Sequence, residues 1–264
     1  MIVTAILVRL ASFWGVAALL MLALWLYARR VKNWAWVDVG WSFSFALAIA
    51  LWSTFYLPTH AAPLAVMVTV WSVRLGTHLL RDRVLGRPEE GRYVALRRTW
   101  GAGGFFVFYQ AQALLAAVLA VAFVVPFSVL PPDLPALRWV GVGLFAVGIT
   151  LETVADVQLA HWKRDPAHRG QVCEVGLWRY SRHPNYFGEW LIWVSYLAYS
   201  LAYPGGWLAT IGPAIILASL FKVTGIPATE AQALRSRGDA YRRYQQTTSA
   251  FVPWPRRALP DDVT

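Results

Sequence analysis

Long apolar runs dominate this sequence, and short segments rich in proline, glycine, arginine or lysine separate them. A helix needs roughly 20 mostly apolar residues to cross the hydrocarbon core of a bilayer. Seven runs reach or approach that length: Ile2–Ala28, Trp34–Leu57, Ala61–Leu80, Phe105–Leu130, Trp139–Ala160, Tyr186–Tyr203 and Trp207–Val223. The pattern therefore predicts an all-α integral membrane protein with seven transmembrane helices.

The basic residues give this topology a direction. All but three of the 24 lysines and arginines follow the first, third, fifth or seventh run; the exceptions are Arg9, Arg74 and Arg138. Because lysine and arginine concentrate in cytoplasmic loops, the N-terminus is predicted outside and the C-terminus in the cytoplasm. We divide the chain into a transmembrane domain, 1–224, and a polar cytoplasmic tail, 225–264, helical around 230–246.

Composition narrows the class of partner. The chain is 58% hydrophobic and 14% charged, with a formal net charge of +10. Since the basic residues lie between apolar runs and not on one polar domain, anionic lipid or an anionic cofactor is expected, and nucleic acid is not. The single cysteine, Cys173, excludes an internal disulfide, and no Cys/His array predicts a metal site. The oligomeric state stays open.

One stretch, YSRHPNYFGEWLIWVSYLAY at 180–199, carries the densest chemistry. Pro184 favours the start of a helix, because its fixed φ suits the first turn and its missing N–H has no intrahelical partner there. Asn185, Glu189 and Trp193 then recur at every fourth residue and share one face. A carboxylate in a membrane helix is costly, which makes Glu189 a candidate functional residue.

The other charges within the runs cluster as well. Asp38, Arg74, Glu189 and the pair Glu152 and Asp156 all fall in the predicted cytoplasmic half of their runs. One polar cavity opening to the cytosol explains that placement. Two alternatives stay open, namely that Glu152 and Asp156 form an interhelical ion pair and that Asp38 caps or pairs at the interface.

The tail offers a second group of chemically apt residues. Glu230 supplies a carboxylate for hydroxyls, Arg237 a guanidinium for phosphate, and Tyr241 and Tyr244 aromatic faces for a purine. An amphipathic interfacial helix would carry the same residue types, so the pattern alone leaves both interpretations open.

The motifs GLWRYSRHPNYFGEW and K-x-x-x-GIP-x-x-E…GDAYRRYQQTTSAFVPW resemble the steroid 5-alpha-reductase C-terminal family, in particular its bacterial membrane branch. Related sterol reductases share the Asn-Tyr-x-Gly-(Glu/Asp) core. Isoprenylcysteine carboxyl methyltransferases and phospholipid methyltransferases carry a similar Arg-His-Pro-x-Tyr-x-Gly motif. The combination of Asn185 with Glu189 favours the reductases, because the methyltransferases usually place small or apolar residues there.

The resemblance implies an NADPH-dependent reductase of the bacterial inner membrane. It would reduce a conjugated C=C bond in a steroid-, sterol- or isoprenoid-like lipid that enters from the bilayer. Asn185 and Glu189 would hold the nicotinamide carboxamide and ribose, with Asp156 beside them. The other implied cofactor residues are Glu152, Trp193 and Tyr180 near the same pocket, Lys163, Arg164, Arg179, Arg182 and His183 for phosphates, and Glu230, Arg237, Tyr241 and Tyr244 at the adenosine end.

One departure bears on the substrate. The steroid 5-alpha-reductases that this chain resembles use an N-terminal glutamate and a tyrosine to polarise an enone carbonyl. In this chain the nearest acid is Asp38, and Trp71 lies near the expected position of the tyrosine. Asp38, protonated through burial, is the expected catalytic acid, with Arg74 or His78 assisting. The alternatives are an S-adenosylmethionine-dependent membrane methyltransferase and a non-enzymatic lipid-binding or transport bundle.

Overall fold

The computed structural model describes residues 2–54, 57–130, 134–222 and 225–258. Residues 55 and 56 of the second predicted run, residue 223 of the seventh run and residues 259–264 of the predicted tail lie outside the described residues. The described residues are helical and contain no strand, apart from an isolated bridge between Ser181 and Ser249. They form two compact units, Met1–Arg138 with Tyr199–Gly212 (unit 1) and Trp139–Ala198 with Pro213–Thr264 (unit 2).

Unit 1 is a bundle of apolar helices. Its helices are α1 (Ile2–Val31), α2 (Trp36–Ser53), α3 (Ala62–Leu79), α4 (Gly91–Thr99), α5 (Ala102–Leu119) and α6 (Val121–Val124). Helix α1 packs on α2 and α5, and α2 packs on α3. Helix α4 lies in the basic segment after the third run, where the hydropathy pattern predicted only a loop.

Aromatic side chains fill the centre of unit 1. Phe45 of α2 lies 5.2 Å from Trp71 of α3 and 6.0 Å from Phe123 of α6, measured between ring centroids. Trp34, just before α2, stacks on Phe105 of α5 at 4.2 Å with nearly parallel rings. Contacts of this kind add to the burial of large apolar surfaces, so aromatic packing joins the helices of this unit.

The described residues of unit 2 contain four helices, of which the first, second and third each have a few terminal residues in unit 1. These are α7 (Pro135–Arg164), α8 (Pro184–Ser200), α9 (Ile211–Lys222) and α10 (Ile226–Thr247). Helix α8 begins at Pro184, as the sequence predicts. Helix α10 confirms the predicted helical tail, extends it by several residues at its N-terminal end, and is kinked at Gly238, where φ is +52°.

The membrane character of the chain is confirmed at a coarse level. Among the described residues, six helical stretches are long and apolar enough to cross a bilayer: Ile2–Val31, Trp36–Ser53, Thr59–Val84, Ala102–Phe127, Pro135–Arg164 and Gly206–Thr247. The apolar part of the last stretch is α9, and polar α10 follows it. Helix α8 has 17 residues and is about 26 Å long, which is short for a bilayer core of ~30 Å. The count of seven therefore stays a prediction.

Helices α7 and α8 approach each other closely where both carry glycine. A Cβ atom added at Gly188 would lie 2.7 Å from the backbone nitrogen of Glu152 and 2.9 Å from the carbonyl oxygen of Gly148. One added at Gly148 would lie 3.0 Å from the carbonyl oxygen of Gly188 and from the backbone nitrogen of Ile192. The two backbones thus touch, in the manner of small-residue contacts between membrane helices.

This contact predicts that glycine-to-alanine substitutions at two positions of unit 2 differ in their effect on stability. Gly188→Ala should lower the free energy of unfolding of the purified protein by about 1–3 kcal/mol, because its Cβ meets backbone that must move. Gly143→Ala on α7 is the control, since no atom lies within 4 Å of its added Cβ. Alanine is the better helix former by ~1 kcal/mol, so Gly143→Ala should be neutral or stabilising.

Thermal unfolding in neutral detergent measures both variants against the wild type. A Gly188→Ala protein as stable as Gly143→Ala would contradict the close contact.

Candidate functional site

The helix contact at Gly148 and Gly188 places a polar group at the start of α8. The amide nitrogen Nδ2 of Asn185 donates a hydrogen bond to Oδ1 of Asp156 at 3.0 Å. One turn further along α8, the indole N–H of Trp193 donates to Oε1 of Glu189 at 2.9 Å. The prediction that Asn185, Glu189 and Trp193 share a face is consistent with this bond, because it joins residues four apart. The structure thus brings Asp156 to Asn185, one turn from Glu189.

Glu152 lies on the same side of α7, one turn before Asp156. It is 4% exposed, and its backbone nitrogen faces Gly188, the residue before Glu189. Glu152 and Glu189 both interact electrostatically with the hydroxyl of Tyr196, which is fully buried. Three carboxylates therefore lie along the junction of α7 and α8. We call Asn185, Asp156, Glu152 and Glu189 the acidic cluster.

A second polar group lies where α8 begins and α10 passes. Oε1 of Glu230 accepts a hydrogen bond from Nε of Arg182 at 2.7 Å and lies 3.2 Å from Nε2 of His183. Oε2 of Glu230 accepts from the side-chain amide of Gln245 at 2.7 Å. Arg182 also donates to the carbonyl oxygens of Gln245 and Thr248, at 2.9 and 2.6 Å. We call Arg182, His183, Glu230 and Gln245 the Glu230 cluster.

The tail after α10 is bound to the turn before α8. The backbone N–H of Arg182 donates to the carbonyl of Ser249 at 2.8 Å, and the hydroxyl of Ser181 donates to the carbonyl of Phe251 at 2.7 Å. The backbone N–H of Trp254 donates to the carbonyl of Tyr180 at 2.9 Å. The Arg-His-Pro segment is therefore positioned by the C-terminal residues of the chain.

The tail tyrosines are packed inside unit 2. Tyr241 is 5% and Tyr244 is 2% exposed, and their rings pack on each other and against Ala233. The hydroxyl of Tyr244 donates to the carbonyl oxygens of Trp178 and Ser181. These contacts join α10 to the loop before α8, and the role of the two rings in stacking on adenine stays a prediction.

Arg237 also has a contact of its own, because its Nε donates to the carbonyl of Gln171 at 2.9 Å. This bond holds α10 against the loop that follows α7. A guanidinium has five N–H donors, so one bond to a carbonyl leaves it able to bind a phosphate.

The residues predicted to bind phosphate lie at the surface, at the end of α7 and in the turn before α8. Lys163 and Arg164 are exposed in the last turn of α7, and Arg179 and Tyr180 are exposed before α8. The turn that carries Arg179 is fixed on α7, because Oε1 of Gln158 accepts from the N–H of Leu177 at 2.9 Å and the indole of Trp178 donates to the carbonyl of Ala155 at 2.9 Å. Their role in binding phosphate stays a prediction.

In unit 1, Asp38 is the centre of an ion-pair network. Its Oδ2 accepts from Arg83 at 2.9 Å and also from Arg92, and its Oδ1 accepts from the hydroxyl of Tyr93 at 2.8 Å. Glu90 lies 3.3 Å from Arg83 and 3.1 Å from Arg92. Burial, together with the Asp38 carboxylate, raises the pKa of Tyr93 well above its usual value. Tyr93 is therefore the proton donor of this pair.

These contacts bear on the predicted role of Asp38. Two guanidinium groups donate hydrogen bonds to its side chain, and its role as a protonated catalytic acid stays a prediction. The alternative, that Asp38 forms an ion pair at the start of α2, agrees with the structure. Arg74 and His78 lie half-buried on α3; their catalytic roles stay predictions.

Sequence reasoning missed several residues that the structure makes important. Gly148 and Gly188 set the helix contact, Tyr93 binds Asp38, and Gln245 completes the Glu230 cluster. The glycines carried a usable signal, since small residues on membrane helices mark close packing. Tyr93 is the last residue of the PEEGRY sequence, within the basic segment after the third run, where hydropathy predicted only a loop.

Comparison with known proteins adds one finding. Residues 24–248 match the model of DUF1295, described as a protein family of unknown function. The chain belongs to the DUF1295 family. The match takes in the last eight residues of α1, all of α2 to α10, the acidic cluster and the Glu230 cluster. No curated protein and no solved structure matches this DUF1295 protein significantly.

The Glu230 cluster predicts a pH dependence of stability. Burial alone would raise the pKa of Glu230, but hydrogen bonds from His183, Arg182 and Gln245 outweigh it and lower this pKa from 4.5 to about 2. Because the folded pKa lies below the unfolded one, the carboxylate stabilises the protein fully above pH 4.5, and this contribution is lost as the pH falls towards 2. Glu230→Gln should therefore be less stable than the wild type at neutral pH, by on the order of 3 kcal/mol.

Thermal unfolding midpoints across the pH range test this directly. The difference in unfolding midpoint between the wild type and Glu230→Gln should become smaller below pH 4.5. Asp239→Asn, an exposed acid on the same helix paired only with exposed Arg242 among the described residues, should track the wild type. A gap of constant size down to acidic pH would contradict the assignment.

The network around Asp38 predicts a large loss of stability in Asp38→Asn. The substitution removes the carboxylate that accepts from both arginines, and among the described residues Glu90 is then the one carboxylate that pairs with Arg83 and Arg92, at a cost of about 3 kcal/mol. Asp82→Asn is the matched control, because Asp82 is exposed in the same part of the chain. The measurement is again thermal unfolding in detergent, and equal midpoints for the two variants would show that the network contributes little.

Proposed function

We propose that this DUF1295 protein is a membrane-embedded, NADPH-dependent reductase of a conjugated C=C bond in a steroid-, sterol- or isoprenoid-like lipid. The observation that carries the proposal is the acidic cluster, in which Asn185 bonds to Asp156 one turn from Glu189. It supplies an amide and carboxylates at the buried start of a helix, the groups that the reductase resemblance assigns to the cofactor.

The donor set suits the nicotinamide and ribose part of the cofactor. A carboxamide needs both a donor and an acceptor, and ribose hydroxyls bind well to carboxylates. An amide nitrogen has two N–H donors and a carboxylate about four acceptor positions, so both kinds of group suit a ligand that carries hydroxyls and a carboxamide. These residues therefore fit the group that the proposal assigns to them.

Other residues of unit 2 extend the fit. Lys163, Arg164 and Arg179 are exposed cations near the ends of α7 and of the turn before α8, and they would bind the phosphates. Arg182 and His183 both contact the carboxylate of Glu230. In the proposal these contacts fix the start of α8 and thereby orient Asn185. The abundance of arginine favours NADPH over NADH, because the extra phosphate requires a cation.

NADPH would supply the hydride, and the chain would supply orientation and a site with little water. Trp193 and Tyr196 are fully buried next to Glu189, and they line the site with aromatic surface. An apolar wall of this kind excludes water, which strengthens every polar contact inside.

The resemblance also leads us to expect an acid paired with a tyrosine for the carbonyl of an enone. In unit 1 the hydroxyl of Tyr93 bonds to Asp38, so such a pair exists, although the tyrosine comes from α4 and not from α3. Because the single hydroxyl proton of Tyr93 is donated to Asp38, Arg74 and His78 are the candidate donors to the carbonyl oxygen. A developing enolate is stabilised by donors of this type.

Binding of NADPH to the purified protein in neutral detergent tests the proposal. We expect wild type to quench the fluorescence of NADPH or to bind it in calorimetry, and Glu189→Gln and Asn185→Ala to bind at least about tenfold more weakly. Glu189→Gln keeps the volume and the acceptor for Trp193, so its effect reports on charge. Asp239→Asn, on the exposed face of α10, is the control.

Two further measurements separate the competing functions. Binding of S-adenosylmethionine without NADPH would favour a methyltransferase, and solute transport in proteoliposomes without either cofactor would favour a transport bundle. Equal NADPH affinity in the wild type, Glu189→Gln and Asn185→Ala would remove the assignment of the acidic cluster.

A further inference from the structure

A cavity of about 340 Å³ lies in unit 2, between the last turns of α10 and the segment that follows it. One wall is a single face of α10, because Ala240, Arg243, Tyr244 and Thr247 lie three or four residues apart. Tyr244 is the buried floor, and the small side chain of Ala240 leaves the space open. This cavity lies apart in sequence from the residues assigned to the nicotinamide and ribose.

Two arginines on the returning tail form the opposite wall, namely Arg256 and Arg257. The backbone N–H of Arg257 donates to the carbonyl of Thr247 at 2.9 Å, which fastens the tail to the end of the helix. The guanidinium of Arg256 donates to the hydroxyls of Thr248 at 3.2 Å and of Thr247 at 3.3 Å. Arg256 is thus held in place by the wall of the cavity.

The charge of the cavity is strongly positive. Glu174 is its carboxylate, and it pairs with Arg256. No ion pair within the described part of the chain includes Arg243 or Arg257, so two guanidinium groups line the cavity beyond the pair. The C-terminal end of a helix carries partial negative charge and opposes an anion, and an anion-binding site there requires several cations.

We propose that this cavity is a binding site for a phosphate group. Arginine is the side chain best suited to phosphate, because its planar fork donates two parallel hydrogen bonds, and three arginines converge here from two segments. The hydroxyl of Thr247 accepts from Arg256 and donates to the carbonyl of Arg243, so it orients one of these arginines. The volume exceeds what one phosphate fills, so the ligand is a phosphate ester whose remainder extends towards Ala240.

Two sources could supply such a group: a soluble nucleotide or an anionic lipid headgroup. Both present the same phosphate to the same arginines, and basic pockets at the surface of membrane proteins bind lipid headgroups. The site is inferred from its own geometry, so it stands or falls independently of the proposed reductase activity.

The test uses the full chain purified in neutral detergent and titrated with inorganic pyrophosphate. Saturable binding is expected, and Arg243→Gln with Arg257→Gln should weaken it by at least about tenfold, because each charge-assisted pair is strong. Arg242→Gln is the matched control, since Arg242 neighbours Arg243 but pairs with Asp239 outside the cavity. Glu174→Gln should bind pyrophosphate more tightly than the wild type, because it removes the competing carboxylate.

Ala240→Leu provides a second variant that leaves every charge in place. It should weaken binding by filling the cavity, and it keeps the test decisive if the double arginine variant fails to fold. Unchanged pyrophosphate affinity in Ala240→Leu, or an affinity in Arg242→Gln reduced as much as in the double variant, would overturn the proposal.

The source is identified by two further titrations of the same variants. Loss of NADPH affinity in the double variant, with NADH affinity unchanged, would assign the phosphate to the soluble cofactor. Stabilisation by nanodiscs of phosphatidylcholine with phosphatidylglycerol over phosphatidylcholine alone, lost in the double variant, would assign it to lipid. Absence of pyrophosphate, nucleotide and lipid effects in the wild type would overturn the site itself.

Discussion

The contact between Gly148 and Gly188 is the constraint on which the chemistry of unit 2 depends. In a membrane, apolar side chains gain little by leaving lipid for protein, so close packing has to supply much of the stability between helices. Here the two backbones touch without intervening side chains. The contact aligns α7 and α8, and that alignment brings Asp156 to Asn185. Larger residues would move the two polar groups apart.

The charged residues of the described chain are arranged in two different ways. Asp38 and Glu230 each accept bonds from two cationic or potentially cationic side chains, and their partners come from other segments. A carboxylate saturated in this way joins segments, because removing either partner leaves a buried charge without compensation. In the acidic cluster, Asp156 accepts a hydrogen bond from the amide of Asn185, and Glu189 accepts one from the indole of Trp193. These neutral donors differ from the cationic donors at Asp38 and Glu230.

Local features of the sequence predicted local features of the structure. Pro184 marks the start of α8, and the four-residue spacing of Asn185, Glu189 and Trp193 indicated their common face, because both depend on a few neighbouring residues. The bond between Arg182 and Glu230 joins residues 48 apart, and that between Tyr93 and Asp38 joins residues 55 apart. No local pattern encodes such a pairing.

The tail tyrosines show a different limit. An amphipathic ring is equally suited to stack on a base and to pack in a core while its hydroxyl bonds to a carbonyl. Composition cannot distinguish these two roles, whereas the structure shows both rings buried and packed. Similarly, hydropathy extended the sixth run to Tyr203, whereas α8 ends at Ser200 and a turn follows.

The turn before α8 has consequences for how the chain is made. Ser181 bonds to the carbonyl of Phe251, 70 residues later, and Tyr180 accepts from Trp254. Helices α7 to α9 are therefore synthesised before the partners of this turn. Contacts of such long range slow folding, because the loop between them must close first. Unit 2 reaches its final hydrogen-bonding pattern only after residue 254 has been synthesised, and a chain truncated before Ser249 leaves the Arg-His-Pro segment without these hydrogen bonds.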